Sequence, residues 1–136
     1  MIVDASAVVA ILFAEPDAGR YADAITGAPV KAMSALNWLE TAIAVDRRGS
    51  ERAKAAFARF FERAAIEIVP VTPDQAALAR AAFDQWGRGT KADLNMGDCI
   101  AYALSRSTGR ALLFKGDDFT HTDIVPALSV PSDLKD

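Results

Sequence analysis

The sequence predicts an α/β fold in which a mainly parallel sheet is covered by helices on both faces. Three observations predict it. Short apolar runs suited to buried strands alternate with longer segments of helical pattern along the whole chain. Capping residues and glycines punctuate the boundaries between them. The 136 residues, 51% hydrophobic and 24% charged, suit one domain (1–136) with a sizeable core, ending in a loose tail at 131–136.

Each element has a local reason. Met1, Ile2 and Val3 form a short apolar run that reads as a buried strand, and residues 6–14 have helical composition. Pro16 suits the first turn of a second helix running to about Thr26, because its missing N–H costs nothing there, and Gly27 ends it. Residues 29–32 make a second extended piece. Ser34 caps a long helix over 35–48 that Gly49 stops. Ser50 caps the next, 51–65, whose Phe57, Phe60 and Phe61 share helical spacing and face the core. Residues 67–71 carry β-branched side chains and a closing proline, so they read as a strand. Thr72-Pro73 opens a helix to about Trp86, and a loop over 87–94 holds two glycines with Arg88 and Lys91. Asn95 caps a helix over 97–107, residues 111–114 form the next strand, and Ile124-Val125 forms a last edge strand.

Several function classes are excluded by composition. A lone cysteine, Cys99, permits no intramolecular disulfide and fits a reducing cytoplasm. The apolar stretch after Asp4 lacks a preceding Lys or Arg and is too short to span a bilayer, so neither a signal peptide nor a membrane anchor is expected. Zinc spacing and phosphate-binding glycine loops are absent. Net charge is −3. That balance suits a nucleic-acid protein only if the acids gather at a metal site and the ion meets the phosphate.

In open parallel sheets, sites form outside the carboxyl ends of the strands. Asp4 directly follows the first strand. Asp117 and Asp118 follow the strand at 111–114 through Lys115-Gly116, at the same end of the sheet. Asp98 lies in the first turn of the helix leading into that strand, and Glu40 sits in the helix after Ser34. Packed carboxylates repel by roughly 4 kcal/mol per pair at 4 Å and an effective dielectric near 20. Such a cluster takes up protons or binds a hard cation. With such an ion, phosphodiester cleavage by an activated water is the chemistry that follows. Each acid also has a structural alternative: Asp4 or Ser6 as a helix cap, Glu40 on a solvated helix edge, Asp98 at a favourable helix N-terminus, and Gly116-Asp117-Asp118 as an ordinary turn.

Four stretches, MIVDASAVVAILFAEPD, SALNWLETA, NMGDCIAYALS and LLFKGDDFTHTDI, span nearly the whole chain in order. Together they resemble the PIN-domain family, and most closely its VapC-like toxins. The resemblance implies a three-layer α/β/α sandwich and Mg²⁺- or Mn²⁺-dependent endoribonuclease activity. It places Asp4 and Asp98 on the metal, with Glu40 completing the acidic site and Ser6 holding a carboxylate or a metal-bound water. The fourth acid is Asp117 or Asp118, with Asp118 favoured. Thr122 and Asp123 match the family's closing motif. The partners it implies are RNA, a cognate VapB-like antitoxin seated in a groove built partly from the early helices, and a second copy of the chain or a larger toxin–antitoxin assembly.

Arg88, Lys91 and Lys115 are candidate RNA contacts, with a solvated loop the alternative for the first two. Arg47-Arg48 is explained by the helix macrodipole. His121, the only histidine, reads as a solvated loop residue, and Cys99 as a small buried hydrophobe. Two rival functions use the same residues: a metal-dependent phosphohydrolase or nuclease acting on DNA or small phosphoesters, and a binding module that keeps the fold without catalysis.

Overall fold

A computed structural model describes residues 1–129, so the tail expected at 131–136 lies outside the described residues. Strands β1 (Ile2–Val3), β2 (Ala32–Ser34), β3 (Glu67–Val69) and β4 (Leu112–Leu113) form one parallel sheet in the order β3-β2-β1-β4. Between them run α1 (Ala5–Leu12), α2 (Ala18–Gly27), α3 (Ala35–Arg48), α4 (Glu51–Ala64), α5 (Pro73–Trp86) and α6 (Met96–Thr108). A 3₁₀ turn follows at Asp118–His121.

The period of two along each strand divides the core. Ile2, Ala32 and Leu112 point to one face, where they join Ala79 and Ala82 of α5 and Ile100, Ala101 and Leu104 of α6. Val3, Met33 and Leu113 point to the other, against Ala7, Val8 and Ala10 of α1 and Tyr21 and Ile25 of α2. Register agrees, because Ile2 lies opposite Ala32 and Leu112, and Val3 opposite Leu113. This is the three-layer sandwich the sequence implies. The first helix serves mainly as core through Ala7, Val8 and Ala10.

Helices begin and end where side chains satisfy their free backbone groups. Ser34 accepts from the Leu36 N–H, Ser50 from Ala53 and Thr72 from Gln75, with Pro73 at the first helical position. Gly49 closes α3 in the left-handed conformation, φ 71°. No helix among the described residues is long and apolar enough to cross a membrane.

Four boundaries differ from expectation. Pro16 is not in α2. The Ala18 N–H donates to the Glu15 carbonyl at 2.9 Å, so Pro16 and Asp17 form a turn, which suits proline's fixed φ, and the helix starts at Ala18. The second strand covers 32–34 rather than 29–32. Pairing starts where the Ala32 N–H reaches the Met1 carbonyl at 3.0 Å, while Val30 stays 53% exposed. The third strand stops at Val69, before Pro70, which has no N–H to donate. Ile124-Val125 is not a strand. A single bridge pairs Leu112 with Pro126, made by Leu112 N–H to Val125 O (2.9 Å) and Ala127 N–H to Leu112 O (2.8 Å). The three phenylalanines of α4 lie at the margin of the core, half-buried. Phe57 packs on Trp38 and Phe61, with centroids 5.5 and 5.0 Å apart.

Leu113 is fully buried between β1 and the α1 layer. Leu113→Ala is expected to cost about 2–5 kcal/mol, read as a lower urea midpoint at unchanged slope.

Candidate active site

The strand order reverses at β1. Successive crossovers build β1, β2 and β3 outward in one direction, and the chain then returns to place β4 on the other side of β1. The carboxyl ends of β1 and β4 therefore flank the switch point at which open α/β sheets bind their ligands, and both strands lead into acidic residues.

Asp4 leaves β1 in extended conformation (φ −82°, ψ 154°) and caps α1. Its backbone N–H donates to the Leu113 carbonyl at 2.9 Å, which stitches it to β4. Its Oδ2 accepts from the Ser6 N–H at 3.0 Å and from the Ser6 hydroxyl at 2.6 Å. That hydroxyl in turn accepts from the Lys115 N–H at 2.9 Å, so the loops after β1 and β4 are joined through Ser6. Asp4 is only 4% exposed. Burial raises its pKa to about 6, against the Ser6 hydrogen bonds, and the Glu40 charge pushes the same way. Cap and candidate site member are one residue.

Glu40, on α3, is raised above the usual glutamate range by burial and by the charge of Asp98, and is opposed by a hydrogen bond from Asn37. Asn37 Nδ2 donates to Glu40 Oε1 at 2.7 Å. The Glu40 carboxylate lies against Gly97 so closely that a Cβ there would collide with it. This glycine is required for approach, not for a left-handed turn.

Asp98 forms a capping box with Asn95. Its N–H donates to Asn95 Oδ1 at 2.8 Å, and its Oδ2 accepts from the Asn95 N–H at 3.0 Å. Its pKa is raised to about 6 by burial, with the Asn95 bond opposing and the charges of Asp4, Asp118 and Asp93 adding to the rise. Asp118, first residue of the 3₁₀ turn, is raised by burial and by Asp117 and Asp93. Asp117 precedes that turn, and its carbonyl accepts from the Thr120 N–H at 3.0 Å. Of the two, Asp118 is the one whose charge is among those acting on Asp98.

Asp4, Glu40, Asp98 and Asp118 are thus linked in one chain of mutual repulsion. Asp93 joins it, which the sequence did not signal. It sits in the 87–94 loop at φ 52°, accepting from the Gly89 N–H at 3.4 Å, and no motif surrounds it. The Gly87–Leu94 bridge closes that loop and carries exposed Arg88 and Lys91 beside Asp93. Asn37 and Gly97 lie inside the stretches SALNWLETA and NMGDCIAYALS, but the sequence assigned neither a role.

The remaining candidates have structural partners. Lys115 Nζ contacts Glu15 at 2.7 Å and Asp17 at 3.0 Å, and the Glu15 bond leads in holding its pKa well above the usual lysine range. As a candidate RNA contact it therefore presents an ammonium already met by two carboxylates. Thr122 Oγ1 donates to the Phe119 carbonyl, and Asp123 accepts from the Tyr102 hydroxyl at 2.6 Å, so the closing motif ties the last turn to α6. His121 ends the turn beside Asp118. Cys99 is buried and its thiol is pushed up to about 11, which denies it a nucleophilic role.

The donor set consists of carboxylate oxygens, the ligands of a hard divalent ion. Among the described residues no three His, Cys, Asp or Glu side chains close on one point as a ready-made cage. Mg²⁺ fits such a set, since it takes one or two carboxylates and keeps several waters. Away from the acids, a cavity of about 930 Å³ opens between α1, α2 and α4. Ile11, Leu12, Phe13 and Ile25 supply apolar lining, with cations from Lys31, Arg48, Arg52, Arg59 and Arg63.

The family model described as PIN domain matches residues 1–125. The ribonuclease VapC30 of Mycobacterium tuberculosis is 44% identical over 125 residues, 91% of this chain and 95% of that protein. The ribonuclease VapC28 of the same organism is 45% identical over 130 residues, 94% and 98% of the two chains. In structure, the chain is similar to M. tuberculosis VapC20, a toxin that cleaves the sarcin–ricin loop, with a TM-score of 0.72 at 24% identity over 91% of this chain and 95% of that one.

The raised acids fix the pH dependence of the metal-free fold. Asp4 and Asp98 hold protons to about pH 6 when folded, against an ordinary value of 3.8. Their stabilising contribution is complete below 3.8 and is lost as pH rises through 6. In EDTA, Asp4→Asn, which cannot ionise, is expected to melt several degrees above the native chain near pH 7.5 and to lose that advantage near pH 4. Equal melting at both values would contradict the buried-charge account.

Proposed function

This chain belongs to the PIN-domain family, and on that premise we propose that it is a divalent-metal-dependent endoribonuclease, the toxin half of a toxin–antitoxin pair. The observation that carries the reading is the buried Asp4 carboxylate at the reversal point of the sheet, whose charge acts with that of Glu40 and on Asp98, which Asp118 also reaches. Relatives over 40% identical along nearly the whole chain are named ribonucleases, which supports RNA over DNA or small phosphoesters as substrate.

Asp4 and Asp98 would hold Mg²⁺ or Mn²⁺, with Glu40 and Asp118 completing the acidic site. When bound, the ion would supply an activated water and charge for the leaving oxygen. The chain's own part is placement. Ser6 turns one Asp4 oxygen, and Asn95 turns one Asp98 oxygen and leaves the other free of the capping box. Arg88 and Lys91, exposed on the loop that also holds Asp93, would meet RNA phosphates.

The cavity between α1, α2 and α4 is the proposed antitoxin seat. Apolar walls with five cations suit an amphipathic segment bearing acidic residues. The homodimer and larger assembly rest on the family resemblance.

Purified protein is expected to cut RNA with Mg²⁺ or Mn²⁺ and to stop in EDTA. Asp98→Asn should lose at least about 100-fold in rate while remaining folded. Undiminished cutting in EDTA and in that variant sinks the metal mechanism, and equal cutting of DNA sinks the substrate assignment. Arg59→Glu with Arg63→Glu should weaken capture of the antitoxin, sought as the product of a small overlapping upstream gene, by about tenfold or more, and should leave RNA cutting intact. Unchanged capture places the antitoxin elsewhere.

A further inference from the structure

We propose that Asn37 is a positioning residue that pins the Glu40 carboxylate to the first turn of α6 and so fixes its place relative to Asp98. The inference rests on the reading that these acids hold a divalent ion, and it concerns a residue that touches neither ion nor substrate.

Asn37 is completely buried, one turn before Glu40 on the same face of α3. Its amide nitrogen donates twice, to Glu40 Oε1 at 2.7 Å and to the Gly97 carbonyl at 3.1 Å. Both hydrogens of the NH₂ are therefore committed, one to a carboxylate on α3 and one to the backbone of α6, immediately before Asp98. The amide can point only this way, since turning it over would set its oxygen against two acceptors. Its Oδ1 is left without a partner. Packing alone would be served by an apolar side chain of this size, so the buried amide is explained by what its N–H groups hold. The Thr41 hydroxyl secures the same residue from the other side, donating to the Asn37 carbonyl at 2.9 Å.

Something must hold Glu40 in place. Its charge and that of Asp98 repel, and its side chain has rotamers enough to swing toward water. The missing Cβ at Gly97 leaves room for the carboxylate, and Asn37 keeps it there.

The test is a double-mutant cycle on the full chain, with Mn²⁺ binding read by calorimetry and RNA cutting measured in parallel. Asn37→Leu is expected to weaken Mn²⁺ binding and to lower kcat by about 10- to 100-fold, with KM for RNA little changed. In a Glu40→Gln background the same substitution should have almost no further effect on either readout, because the carboxylate it positions is gone. A purely structural role would lower the melting temperature and act equally in both backgrounds, which overturns the proposal. If Asn37→Leu does not fold, Asn37→Ser takes its place in the cycle with the same expectation. Native protein that binds no Mn²⁺ overturns the proposal together with the metal reading. Native protein that binds Mn²⁺ but cuts no RNA removes the ribonuclease reading alone, and the calorimetric cycle still decides on Asn37.

Discussion

Carboxylates that repel one another are held together at the carboxyl ends of β1 and β4, and the local chemistry at that end of the sheet serves this placement. Three of the acids each have a donor within three residues. Ser6 holds Asp4, Asn37 holds Glu40 and Asn95 holds Asp98. These short-range bonds orient individual oxygens, so each helix arrives with its acid already aimed. The sheet then has only to bring the elements together. The opposition is visible in the acids themselves: burial and neighbouring charge push them up, and the local hydrogen bonds pull against that push.

The topology makes this convergence possible. All four strands are parallel, so their carboxyl ends share one edge of the sandwich, and the strand order reverses there at β1. The return connection carries α5 and α6 to the face opposite α1 and α2, as right-handed crossovers require. Helix α6 therefore starts at the site end with Asp98 in its first turn and is buried along most of its length. The packed helix fixes the Asp98 backbone, its capping box with Asn95 orients the carboxylate, and neighbouring acids raise its pKa.

The parts of this structure that were legible in the sequence are those decided locally. Helices α3, α4 and α5 begin at Ser34, Ser50 and Thr72 because those side chains make the capping bonds themselves. Asp4, Asp98 and Asp118 could be placed because they follow strands or open a helix, whereas Glu40, within α3, was placed by the resemblance. What was hidden depends on meetings between distant segments. Asn37 and Gly97 matter because α3 lies against α6 across 60 residues of sequence, and although both fall in the stretches that carry the resemblance, neither has a role that its own neighbours reveal. Lys115 reads as a free cation until the fold brings Glu15 and Asp17 to it from about 100 residues away. Strand limits were misplaced for the same reason, since pairing partners set them: β2 waits for the Met1 carbonyl, and the segment after Ile124 can make only a bridge around Pro126.

Helix α1 connects the acidic site to the basic cavity. Its amino end is capped by Asp4, while Ile11, Leu12 and Phe13 near its carboxyl end line the cavity. Eight residues of α-helix span about 12 Å. The cavity and the acids thus stand about one helix length apart, a span of roughly four extended residues. The turn after α1 is also fastened to the loop after β4, through Glu15 and Asp17 on Lys115. Charge is separated along the same path, with repelling carboxylates at one end and five cations at the other, although the chain as a whole carries only −3.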